Sequence, residues 1–121
     1  MPERALSKSP LIRSIPGWLL SALLALIFLA TGGMKLMSRP GMVQEFARVG
    51  LGQWFRYFTG VLEVAGAVGM IVPPLSRWAA MLLAAVMSGA IVAHLTALQS
   101  PPTLPAILLV MVFAAAWLRR L

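Results

Sequence analysis

The chain contains no cysteine and a single histidine. Without thiols it cannot by itself form a disulfide, present a thiolate nucleophile or ligate an iron–sulfur cluster. One imidazole cannot supply both axial ligands of a bis-histidine haem, so any redox role must borrow its electron carrier. Charge is scarce too: only 11% of the 121 residues are charged. An average soluble domain carries about 25%, so a soluble fold is excluded. The few charges are unequal in sign, ten Lys and Arg against three acidic residues, for a net charge of +7. In a soluble protein that excess would point to nucleic acid, but no basic face or base-stacking platform accompanies it and no nucleic-acid partner is expected. The basic residues cluster at the ends of apolar runs, where they set topology and meet lipid headgroups.

What the chain has instead is apolar length: 60% of its residues are hydrophobic. A chain of this size admits one domain and, after loops, about four spans of roughly 20 residues. Residues 1–16 are polar, basic and proline-containing, and read as a cytoplasmic tail; residues 17–121 read as a single domain. The first span runs from Gly17 to about Met37. A signal peptide is the competing reading, but its apolar core would be about 7–15 residues with a small-x-small cleavage site. This run is longer, and Ala30-Thr31-Gly32 is a poor site. The second span covers about 55–72 and stops at Pro73-Pro74, which cannot continue a helical ladder. The third covers about 77–98, and the fourth runs from Leu104 to Leu118. Between the first two, Met42–Val49 places Val43, Phe46 and Ala47 on one face and Gln44, Glu45 and Arg48 on the other, the pattern of a short amphipathic helix at the membrane surface. The expected fold is all-α: an up-down four-helix transmembrane bundle with an amphipathic segment in its first outer loop.

Positive charge orients the bundle. With both termini inside, Arg4, Lys8, Arg13, Arg77, Arg119 and Arg120 face the cytoplasm, against Arg39, Arg48, Arg56 and the bordering Lys35 outside. Trp18, Trp78 and Trp117 then share the inner interface, with Trp54 and Tyr57 at the outer one. A weak internal echo aligns Leu23-Leu24-Ala25 and Lys35-Leu36 with Leu82-Leu83-Ala84 and His94-Leu95, a hint of two related hairpins.

Three ionisable residues interrupt the apolar runs: Lys35, Glu63 and His94. A charge inside a span costs roughly 2.5–3.5 kcal/mol on insertion scales, so such side chains are expected to face inward and act together. By helical rise Lys35 lies about 25 Å above Trp18, His94 about 24 Å above Trp78 and Glu63 about 15 Å above Pro73. Side chains lean toward their own N-terminus, which tips Lys35 and His94 down and Glu63 up. Thr31, Thr59 and Gly66 beside them are the candidate ligand-contacting positions. Each residue has a plainer reading. Lys35 can snorkel to headgroups, His94 can bond a nearby carbonyl, and the glycines and methionines can serve packing. Glu63 has no interface in reach and needs a cationic partner or a proton; a purely structural pair with Lys35 meets that need.

At these residues the chain resembles the DoxX-like membrane proteins. The resemblance is carried by Gly33-Met34-Lys35, Phe46-Ala47-Arg48-Val49-Gly50-Leu51, Gly60-Val61-Leu62-Glu63-Val64-Ala65-Gly66 and Ala93-His94-Leu95, and it covers roughly residues 17–98. It implies a four-helix protein of the bacterial cytoplasmic membrane, some of whose relatives are named as subunits of a thiosulfate:quinone oxidoreductase. Three functions follow as expectations. The first is a membrane subunit that helps a redox partner reach the quinone pool, with Glu63 and His94 relaying protons, Lys35 polarising a quinone oxygen and no covalently bound cofactor. The second is a membrane-embedded acid–base enzyme or binder acting on a lipophilic substrate. The third is a scaffold whose polar cluster only specifies packing. Small-residue faces on the second and third spans suit a homodimer in the bilayer.

Topology is directly testable. A cysteine introduced at Gln99 is expected to be labelled from outside intact cells and one at Ser7 is not; the opposite pattern inverts the orientation.

Overall fold

The computed structural model describes the backbone of residues 2–121 and the side chains of residues 14–121. Among the described residues all regular structure is helical: α1 (Pro2–Leu36), α2 (Pro40–Val49), α3 (Gln53–Ile71), α4 (Ser76–Leu95) and α5 (Thr103–Leu118). A single 3-10 turn, Pro73–Leu75, joins α3 to α4. α1 thus begins well before Gly17 and takes in most of the stretch read as a tail. A proline removes one bond from the ladder without ending a helix that continues on both sides. Met1 and the side chains up to Arg13, which carry the tail's charges, lie outside the described residues.

Two stretches, Ser14–Leu36 and Pro73–Leu95, are long and apolar enough to cross a membrane, while Thr103–Leu118 is apolar but shorter. α3 is less apolar because it contains Gln53, Arg56 and Glu63, and it buries the last two. α1 packs along α3 and α5, and α4 packs along the same two helices, so the four close a ring with α2 lying on α3. Leu24, Phe28, Ala67, Met70, Leu83 and Ala115 fill its centre. Leu24 and Leu83, equivalent in the internal echo, are both fully buried. The outward faces are apolar as well: Leu19 and Leu26 of α1, Val61 of α3, Met81 and Val92 of α4, and Val110 and Phe113 of α5 are all exposed. A helix that is apolar all round belongs in a large core or in lipid.

Glycine sets the contact between α1 and α3. A Cβ on Gly32 would stand 2.9 Å from the Gly60 carbonyl oxygen, and one on Gly60 3.0 Å from that of Gly32. Both obstacles are backbone, so α1 and α3 approach here more closely than any other residue would allow.

Two arginines tie off the helix ends. Arg56, 3% exposed, donates through Nη1 to the carbonyl of Lys35 and through Nε to Gln53 Oε1 at 2.7 Å. Gln53 Nε2 donates in turn to the Val43 carbonyl at 3.1 Å, so one chain of bonds joins the end of α1, the start of α3 and the middle of α2. At the opposite end, Arg119 Nη1 donates to the Met70 carbonyl at 2.7 Å and to Ser21 Oγ at 2.9 Å, and Nη2 donates to Ser76 Oγ at 2.6 Å. Its guanidinium lies 3.7 Å from the Trp18 ring centroid. Burial lowers the Arg119 pKa, yet a guanidinium remains charged at any working pH. Both arginines place positive charge on the carbonyl ends of helices, where the macrodipole favours it.

Two outcomes check this packing. Gly60→Ala is expected to lower stability by about 1–3 kcal/mol through overpacking. Gly33→Ala, at a position with no atom within 4 Å of the added carbon, is expected to be neutral or to stabilise by up to about 1 kcal/mol; thermal unfolding in detergent measures both. Arg119→Met leaves the buried hydroxyls of Ser21 and Ser76 without their donor and the Met70 carbonyl with Ser76 Oγ alone, and the same assay is expected to show a loss of about 1–3 kcal/mol.

Candidate functional site

The α1–α3 contact at Gly32 and Gly60 brings Lys35, in the last turn of α1, alongside Glu63 in the middle of α3. Lys35 Nζ lies 2.8 Å from Glu63 Oε2, with the two side chains 11% and 2% exposed. The hydroxyl of Thr31, one turn before Lys35, lies 3.2 Å from Glu63 Oε1 and 3.5 Å from the Phe28 carbonyl. Oε2 meets the ammonium as an ion pair but accepts no aligned hydrogen bond. Taking two charges out of water costs several kcal/mol per ion, and their attraction offsets this only when the remaining lone pairs are satisfied.

Glu63 is among the residues that line a cavity of about 400 Å³. Thr31, Lys35, Thr59 and Glu63 supply its polar wall on α1 and α3, while Phe55, Leu62, Val86, Ala90 and Leu108 are among its apolar walls. An apolar pocket with a few convergent polar groups, within the usual range of roughly 300–1,000 Å³, is the ordinary form of a small-molecule site.

His94 lines the same cavity from the end of α4, but its bonds go elsewhere than to Glu63. Nδ1 lies 2.8 Å from Ser100 Oγ, and Nε2 lies 3.7 Å from Glu45 Oε1. Gln99, with φ of 48°, turns the chain so that the Ser100 amide returns to the His94 carbonyl at 2.9 Å. Thr59 donates to the carbonyl of Phe55 at 2.8 Å, so its hydroxyl proton is already engaged. Gly66 is outside the cavity: it is buried against Leu83, and a Cβ there would stand 2.5 Å from Leu83 Cδ2. Its smallness serves helix packing.

The residue that sequence reasoning missed is Glu45. The α2 face assigned to Val43, Phe46 and Ala47 is corrected by the structure, where Ala47 is exposed and the face over the cavity is Met42, Glu45, Phe46 and Val49. Those four follow the i, i+3, i+4, i+7 spacing of a buried helical stripe, the signal that could have found it. An acid within that stripe disguised it. Arg56 and Arg119 were likewise counted as topology charges although each reaches back to a helix end.

Chemically, the site offers an ammonium with three donors, held beside the Glu63 carboxylate as an ion pair. It also offers an imidazole at the far wall. An oxygen-bearing head in the cavity can accept from Lys35 while Glu63 exchanges a proton. Among the described residues no group of three or more His, Cys, Asp or Glu could hold a metal ion.

The sequence pattern of the DoxX-like family matches residues 19–117. A Bacillus subtilis (strain 168) protein, YdgD, described as uncharacterized, is 37% identical over 76 residues, which are 60% of this chain and 67% of that protein. No solved structure matches the chain. The family match takes in the body of all five helices and, with them, Lys35, Glu63 and His94, so the chain belongs to the DoxX-like family.

Proposed function

We propose that this chain is a multi-pass protein of the bacterial cytoplasmic membrane that binds a lipophilic carbonyl compound of the quinone class and presents it to a redox partner. The observation that carries this reading is the Glu63–Lys35 pair, buried at the wall of an apolar cavity with one carboxylate oxygen lacking an aligned hydrogen bond. α1, α3, α4 and α5 are the four spans, supported by the apolar outward faces of the ring. An even number of spans puts both termini on one side, and the basic residues favour the cytoplasm. α2 lies at the outer surface as the cover of the cavity.

In this reading Lys35 donates a hydrogen bond to the ligand carbonyl, and Glu63 holds the ammonium in place and exchanges the proton that oxygen gains or loses. His94, with Glu45 and Ser100 on its two nitrogens, stands between the cavity and the outer surface as the further proton station. The electron carrier belongs to the partner, because the chain has no cysteine with which to carry electrons as a thiol or to ligate an iron–sulfur cluster.

A double variant separates ligand binding from mere packing. Removing one member of a buried pair costs about 3–5 kcal/mol, whereas replacing both by apolar residues is often neutral or stabilising. Lys35→Met with Glu63→Leu is therefore expected to unfold near the wild-type temperature, while either single change unfolds earlier. If the pair holds a ligand, the well-folded double variant loses affinity for a benzoquinone probe in nanodiscs by about ten- to a hundredfold, the value of a charged hydrogen bond. Wild-type affinity in the double variant would mean that the pair serves packing alone.

A further inference from the structure

The cavity extends beyond the neighbourhood of Glu63. Close to their connecting turn, α3 and α4 are in tight contact: a Cβ on Gly66 would meet Leu83 at 2.5 Å, and one on Gly69 would meet Ala79 Cβ at 2.7 Å. Farther along, the contact opens. A Cβ on Gly89 would have no atom within 4 Å, and Leu82, Ala85, Gly89 and Ala93 of α4 line the cavity together with Phe58 and Leu62 of α3. The four α4 positions follow i, i+3, i+7, i+11 and form one stripe, about 16 Å long by helical rise. Phe58, Ala85 and Gly89 are exposed, so this part of the cavity is a groove open to the outer surface of the ring. Its wall is hydrocarbon and small residues, while the polar groups of Lys35 and Glu63 stand at its inner side.

We infer that the α3–α4 groove holds the apolar chain of the ligand and is the opening through which that ligand enters sideways from the bilayer. The inference rests on the ligand reading of the cavity and deepens it: the ligand is a head-and-tail molecule, its carbonyl head at Lys35 and Glu63 and a linear hydrocarbon or isoprenoid chain along the seam. A head alone would leave the groove to the bilayer. A chain that follows the head along the seam takes the place of lipid hydrocarbon there, so its contribution comes from fit against the small residues of the stripe rather than from removal from water. The absence of a side chain at Gly89 keeps the seam open at its exposed edge, and the space around it means that a larger residue fills the groove without displacing a neighbour.

The test compares a decyl-substituted benzoquinone with its methyl counterpart, binding to the full chain in nanodiscs. With each probe's concentration counted per lipid, wild-type protein is expected to bind the decyl compound more tightly. Gly89→Phe is expected to remove roughly tenfold of that advantage by filling the space the chain occupies, while affinity for the methyl compound stays at the wild-type level. Gly89→Ala serves as the control for the helix and is expected to keep the full difference. Ala85→Phe, one turn away on the same stripe, repeats the test should the Gly89 variant unfold. A photoreactive group at the end of the decyl chain is expected to label Phe58 or the exposed positions of α4. Equal binding of the two probes to wild-type protein, a chain advantage that survives in both Phe variants, or a loss shared equally by both probes would overturn the groove. If neither probe binds wild-type protein, the quinone-class reading of the cavity fails, and the inference with it.

Discussion

The close approach of α1 and α3 at Gly32 and Gly60 is the constraint on which the rest of the structure depends. With a carbonyl oxygen of each helix filling the space where the other glycine's Cβ would stand, the two backbones are as near as side-chain-free contact permits. Lys35 lies three residues past Gly32 and Glu63 three past Gly60, about one turn in each case. Because the helices run in opposite directions, only the length and lean of the side chains bridge the remaining offset. A wider spacing would leave Glu63 in an apolar interior without a cation, a far more expensive arrangement than a paired one.

Around that contact the arginines act as ties between elements. Arg56 binds the carbonyl end of α1 and, through Gln53, holds α2 over the cavity. Arg119 reaches from the end of α5 to the Met70 carbonyl near the end of α3 and to the first turn of α4 through Ser76. Each satisfies backbone groups that have no partner within their own helix, and in an apolar surrounding such groups are costly to leave bare. One role of a basic residue at a span end, orienting the chain, does not compete with the other. The same side chain that favours one side of the membrane can cap a neighbouring helix once the bundle closes.

Much of the fold was legible along the chain. Pro73-Pro74 ends α3, and Pro101-Pro102 comes just before α5, because proline cannot extend a ladder behind it. The level of Lys35 followed from a rise of about 1.5 Å per residue and the lean of helical side chains, and the pair with Glu63 was among the alternatives weighed. α1 begins earlier than expected because residues 1–16 were read as a tail from their polar, basic and proline-containing composition, which does not by itself stop a helix. The face of α2 was misread because Glu45 was assigned to water by its charge. His94 was placed at the depth of Lys35 and expected to lean toward Glu63, but the lean of a helical side chain does not determine which way a ring turns. The Gln99 turn gives it Ser100 instead.

Residue types and their spacing by themselves determined an all-helical chain, the boundaries of its later helices and the three charged or titratable residues that interrupt its apolar runs. These are properties of one helix at a time, governed by periodicity, proline and the cost of charge in hydrocarbon. Which small residues make contact and which leave space was decided only by tertiary structure: Gly60 and Gly66 look alike in sequence, yet one seats α1 and the other seats Leu83, while Gly89 faces an open groove. The partners of Glu45, Arg56, His94 and Arg119 were decided there too. A helix's own pattern shows which face is apolar, but the distance to a neighbour and the direction of a side chain across the gap depend on how all the helices pack at once.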